Sequence, residues 1–222
     1  MHPEVHRKSP MTTRNTKQRI ISKGAEIINL KGFHHTGIQE ILDAANVPKG
    51  SFYNYFRSKD DFGLQVIDYY VQQFAFLLES VTKDSSLSPI EKTRKILLFF
   101  MDFYKSRDYA YGCPIGNLSQ EMGDLSPVFR EKLKHAVDAM VGGCIGVLEE
   151  AQKAGEISSQ LDLKETAYFI LSSWHGALLR MKVEKSLAPL ENHYRFIFDY
   201  ILKPEPRDVV CSRDEACFVK ST

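Results

Sequence analysis

The chain has 222 residues, 29 Lys/Arg against 28 Asp/Glu, a formal net charge of +1 and 43% apolar residues. That balance excludes collagen-like and disordered classes and leaves enough apolar side chains for one large domain or two small ones. The longest nearly apolar stretches, 96–101 and 141–148, fall far short of the roughly 18 residues that a membrane-spanning helix needs, and residues 1–10 lack the apolar centre of a secretion signal, so a cytoplasmic protein is expected.

Nearly every periodic stretch has helical spacing and none alternates at period two, which predicts an all-α fold of about nine helices. The first runs over about 16–30, with Ile20, Ile27 and Ile28 on one face and Gly32 as its stop. Thr36 and Gln39 have capping-box spacing before a short helix with Ile38, Ile41, Leu42 and Ala45. Asn46-Val47 makes a turn, and Pro48 suits the first position of a third helix carrying Lys49-Gly50-Ser51-Phe52-Tyr53-Asn54-Tyr55-Phe56. Ser58 and Asp61 predict the cap of a long fourth helix reaching the break at 83–88. Ser88-Pro89 with Glu91 opens the next, to about Ser106. A short helix then follows Gly112-Cys113-Pro114 as far as Met122, and Ser126-Pro127 starts another that runs to the Gly155 region. The last two cover about 162–185 and 189–202. Residues 1–12 and 205–222 are polar and aperiodic and are expected to be flexible; 13–60 and 61–204 then form two units.

The near-neutral total hides an asymmetry. Residues 1–60 carry +5 and the remainder −4, the footprint of a module that touches a polyanion. Two short helices joined by a tight turn, the second led by small and basic residues, make the sequence form of a helix-turn-helix. Gly50 and Ser51 let the backbone approach DNA, Lys49 offers a charged donor to phosphate or guanine, Asn54 can pair with adenine or phosphate, and Tyr53 reaches phosphate through its hydroxyl. Thr36 and Lys59, each at an expected helix start, suit flanking phosphates. Phe52 and Phe56 have core spacing. No nucleotide-binding Gly-rich loop, HExxH or GxSxG motif argues for an enzyme. The cysteines (Cys113, Cys144, Cys211 and Cys217) lack CxxC spacing, and His34-His35 lack a third ligand, so neither metal nor cofactor is expected.

The stretch from about Arg14 to Phe62, with Gly32-Phe33, Thr36, Ile41-x-x-Ala44-x-x-Val47, the Lys49–Phe56 run and Ser58-Lys59-Asp60, resembles the DNA-binding domain of the TetR family of transcriptional repressors. The resemblance implies a homodimer joined through the last two helices, 162–185 and 189–202, bound to a palindromic double-stranded DNA operator and released by a small molecule. Gly112-Cys113, Ser119 and Glu121, with Trp174-x-Gly176-Ala177-x-Leu179-x-x-Lys182, are similar to an electrophile- and oxidant-responsive, NemR-like subgroup, although Pro114 departs from its pattern. That similarity implies a sensor thiol at Cys113 with Lys182 nearby. The alternative is a reversible apolar effector in a cavity lined by Phe99, Phe103, Tyr104, Met122, Met140 and Trp174, residues whose helical spacing fits a packed core as well.

Overall fold

Long helices with one apolar stripe are stable only when that stripe is covered, and here they cover one another. The computed structural model describes the backbone of residues 10–204 and the side chains from residue 15. Among the described residues the order is α1 (Pro10–Lys31), α2 (Ile38–Ala44), a 3₁₀ turn (Phe52–Asn54), α3 (Lys59–Thr82), α4 (Pro89–Lys105), α5 (Pro114–Met122), α6 (Pro127–Lys153), α7 (Leu163–Glu184), α8 (Ala188–Phe196) and a π-type turn (Ile197–Ile201). No strand occurs among them.

α1 buries Ile20, Ile21, Ala25 and Ile28 on its inner face, and α3 packs on it with Phe62, Val66 and Ile67 fully enclosed. α3 continues past that contact onto α6, so one helix belongs to both the N-terminal unit and the larger bundle. α6 is the hub. It packs on α3, α4, α5 and α7, burying Phe129, Leu133, Ala136, Met140, Val141 and Leu148, while α7 packs on α8.

The helix starts follow cap chemistry. Ser58 Oγ accepts from the Asp61 amide at 3.0 Å while the Asp61 carboxylate accepts from the Arg57 amide at 2.8 Å, and that second bond holds the Asp61 carboxyl below its ordinary range. Ser88 and Glu91 form a full capping box before Pro89, and Ser126 and Asp162 cap α6 and α7 through their side chains.

Several sequence expectations are corrected. There are eight α-helices among the described residues, because the expected third helix from Pro48 is a turn followed by a single 3₁₀ turn. Gly50, at φ +84°, interrupts helical geometry there. Thr36 does not cap α2: Gly37 stands at that position, and Thr36 turns inward, its Oγ1 donating to the Gly32 carbonyl at 2.7 Å. α1 already begins at Pro10, inside the segment 1–12 expected to be flexible; residues 1–9 and the 205–222 tail, with Cys211 and Cys217, lie outside the described residues. The last helix ends at Phe196 and passes into the π-type turn short of Leu202.

Candidate nucleic-acid interface and sensor cleft

The exposed segment after α2 is built on an aromatic anchor. Phe52 and Phe56 are buried and pack on each other and on Phe62, with ring centroids 4.9–5.5 Å apart. Because a 3₁₀ turn points successive residues about 120° apart, anchoring Phe52 leaves Tyr53 and Asn54 facing out. Tyr53 is 67% exposed, and Lys49, Gly50 and Asn54 are exposed beside it, with Ser51 half-buried. A Cβ at Gly50 would meet nothing within 4 Å, so its use is the left-handed turn that presents Lys49 and Ser51. Lys59 lies on the flank, its Nζ 4.8 Å above the Phe33 ring and donating to the His34 carbonyl at 3.3 Å. Six of the seven expected DNA-contacting residues are therefore exposed or partly exposed, and the seventh, Thr36, is fully buried with its hydroxyl committed to the backbone.

The second site lies where α5 meets α7. Cys113 is the N-cap of α5, and its Sγ accepts from the Gly116 amide at 3.5 Å. Burial pushes the thiol above its ordinary pKa, against the opposing pull of the Gly116 and Ile115 amides. A helix N-terminus favours thiolate, but here desolvation outweighs it. Cys113 and Lys182 line one small cleft with Gly112, Gly116, Asn117, Gln120, His175, Leu178 and Leu179, with room for about one water molecule, 10 Å³. Lys182 is held below its ordinary pKa by burial and by the charge of Lys185.

The other six effector candidates do not converge on one cavity. Tyr104, Met122, Met140 and Trp174 are buried core residues, since α4, α5, α6 and α7 turn them toward one another. Phe103 is half-buried against Tyr104 and Tyr111, while Phe99 lies on the outside of α4 beside an open groove with Leu87, Arg94, Lys95 and Leu98. Cys144 is largely buried on α6 and its thiol is pushed up to about 11 by desolvation, as suits a packing residue.

Sequence reasoning gave no partner to Glu121, at the far end of α5. Its two carboxylate oxygens accept from the consecutive amides of Phe33 and His34, both at 2.7 Å. Gly32, at φ +88°, turns those amides outward, and a Cβ there would come within 3.0–3.3 Å of the carboxylate. One turn earlier Asn117 Nδ2 donates to Asn29 Oδ1 at 2.9 Å, and Asn29 Nδ2 donates to the Gly112 carbonyl at 3.4 Å. The helix whose start carries Cys113 is therefore tied along its length to the end of α1 and the turn into α2. Only the motif position of Glu121 was visible in the sequence, because its partners are backbone amides 87 and 88 residues away.

A basic, all-helical N-terminal unit that exposes a short anchored segment after a tight turn defines a helix-turn-helix DNA-binding protein, here joined to a larger helical bundle. Residues 20–66 match the family described as bacterial regulatory proteins, tetR family, and residues 89–197 match the tetracyclin repressor-like, C-terminal domain. The transcriptional regulator AcuR of Cereibacter sphaeroides is 39% identical over 178 residues, 80% of this chain and 81% of that protein. The HTH-type transcriptional repressor NemR of Escherichia coli is 30% identical over 204 residues, 87% of this chain and 97% of that one. Among solved structures, the regulatory protein TetR from Rhodobacter sphaeroides superimposes with a TM-score of 0.78 at 37% identity, covering 84% of this chain and 99% of that one. The chain belongs to the TetR family of DNA-binding transcriptional regulators.

Proposed function

We propose that the protein is a homodimeric repressor that leaves a palindromic operator when a small molecule or electrophile acts on the Cys113 cleft. In this reading residues 13–60 bind DNA, with Lys49, Gly50, Ser51, Tyr53, Asn54 and Lys59 as the contacts, and 61–204 sense and dimerise. The observation that carries it is the position of α5, with Cys113 at one end and the Glu121 clasp on the α1–α2 turn at the other. A helix of nine residues spans about 13 Å and moves as a unit, so a group attached at its start displaces the clasp at its end. A differential effect of about 3 kcal/mol between conformers is enough to change operator affinity about a hundredfold.

Dimerisation through α7 and α8 is supported by the apolar side chains these helices leave uncovered. Phe169, Leu179 and Val183 share one face of α7 with the unobstructed Gly176, Phe196 stands exposed at the end of α8, and Tyr200 is exposed in the π-type turn that follows. The similarity to a protein named a transcriptional repressor, NemR, supports repression. A second reading, a reversible apolar effector, draws on the groove beside Phe99 and Leu98, which are 49% and 45% exposed. The experiment that separates them adds an electrophile to the operator complex of the parent protein and of Cys113→Ser. Thiol sensing requires release in the parent and none in the variant; release in both favours the reversible reading.

A further inference from the structure

The cations of the N-terminal unit divide into two kinds. Lys23 pairs with Glu26 at 3.0 Å and Lys31 with Glu40 at 2.5 Å. Lys17, near the start of α1, and Arg57, just before α3, make no ion pair among the described residues. Both stand beside the anchor of the exposed segment: Lys17 Nζ lies 5.5 Å from the centre of the Phe56 ring, and Arg57 is the exposed residue that follows Phe56. A lysine stem laid on an aromatic ring is held in place while its charge stays available to solvent. The acid beside them does not neutralise them. Asp61 Oδ2 accepts from the Arg57 amide at 2.8 Å and Oδ1 from Gln65 Nε2 at 3.1 Å, so both carboxylate oxygens already have neutral donors. The Arg57 amide is the main cause of the lowered Asp61 pKa, and the charges of Arg57 and Lys17 add to it, so both cations lie around one carboxylate without pairing to it. With Lys49 and Lys59, cations outnumber the acids Asp60 and Asp61 there.

Resting on the reading of residues 49–54 and Lys59 as the DNA-contacting face, we propose that Lys17 and Arg57 form a phosphate clamp on the Phe56 side of that face, each neutralising one phosphate of the DNA backbone. Lys59 rests on the Phe33 ring and Lys17 on the Phe56 ring, so the two lysines are held by different parts of the unit. Neither Lys17 nor Arg57 reads sequence, because a phosphate is the same at every base pair; the clamp fixes register and adds affinity that salt weakens. Helical geometry supplies a control. Arg19 lies two residues after Lys17, about 200° further round α1, so it carries the same charge on the same stretch of helix but faces away from Phe56.

The test follows binding of the full chain by fluorescence anisotropy over a salt series, on a duplex of its own upstream DNA and on a scrambled duplex of the same composition. Lys17→Gln and Arg57→Gln are each expected to lower the slope of log affinity against log salt by about 0.9, and the double variant by about 1.8, with the same fold-loss on both duplexes. Lys17→Arg, which keeps the charge, and Arg19→Gln are expected to keep the parental slope. An unchanged slope in Lys17→Gln or in Arg57→Gln removes that residue from the clamp. A loss confined to the upstream duplex, a parental slope not restored by Lys17→Arg, or an equal fall in Arg19→Gln overturns the clamp as a whole. Lys49→Ala on the same duplexes separates the two readings: a lowered slope there with none in Lys17→Gln and Arg57→Gln overturns the clamp and leaves the DNA-contacting face standing, whereas unchanged slopes in all three overturn both.

Discussion

Tyr53 and Phe52 are sequence neighbours with opposite environments, one 67% exposed and the other 1%. In the proposed reading, substitution at the outward positions is expected to cost DNA binding without costing the fold. Tyr53→Ala and Lys49→Ala are each expected to weaken operator binding by about 1–2 kcal/mol at fixed salt, with Lys49→Ala also lowering the salt slope by about one. Fluorescence anisotropy against a salt series measures both, and an unchanged melting curve checks that the fold is intact. His193 makes a different residue-scale prediction. It is buried with its ring 5.3 Å from Trp174, Nε2 is unpartnered among the described residues, and desolvation pushes its pKa down to about 4. An unfolded-state histidine takes its proton near 6.5, so between pH 6.5 and 4 the unfolded chain binds more protons than the folded one. Stability therefore rises with pH through that window and is lost on acidification, by roughly 2–3 kcal/mol from this group. Thermal melts from pH 7 to pH 4 should show a smaller acid loss in His193→Phe than in the parent.

At the scale of elements, α5 is the member whose perturbation reaches the DNA-binding unit. Glu121→Gln keeps the shape but leaves a neutral acceptor for one amide and an amide group facing the other. The expected result is a loss of about 1.5–3 kcal/mol from the clasp, faster hydrogen exchange at the Phe33 and His34 amides, and weaker operator binding. Unchanged exchange at those two amides would show that the clasp does not hold the turn. The sequence made the cap-driven starts of α3, α4 and α6 legible, because Ser58, Ser88 and Ser126 act within three residues of themselves. It also revealed Phe52 and Phe56 as core, since their spacing matches the buried face. Thr36 was misread for the same local reason: capping-box spacing was present, but the tight turn after Gly32 gave the hydroxyl a carbonyl to bind and moved the cap to Gly37. Glu121 was illegible as a partner, because the amides it faces lie 87 and 88 residues away and are brought to it only by helix packing.

At the scale of the molecule, α7 carries a face of uncovered apolar residues, with Phe196 and Tyr200 exposed after it, and α3 packs on both α1 and α6. Val183 is 85% exposed, so a charge there meets no cost in a monomer, whereas the proposed dimer would bury it. Val183→Asp should therefore shift the protein toward monomer in light scattering at micromolar concentration, and two half-sites should no longer be held together on the operator. A dimer undisturbed by Val183→Asp and by Phe169→Asp would move the interface elsewhere. The central claim, that a sensor thiol at the start of α5 controls DNA binding, is tested most directly by operator anisotropy at fixed salt before and after a quinone, with Cys113 followed by mass spectrometry. The account predicts loss of binding in step with an adduct on Cys113, and no loss in Cys113→Ser; a protein that carries the adduct and still binds its operator with parental affinity would contradict it.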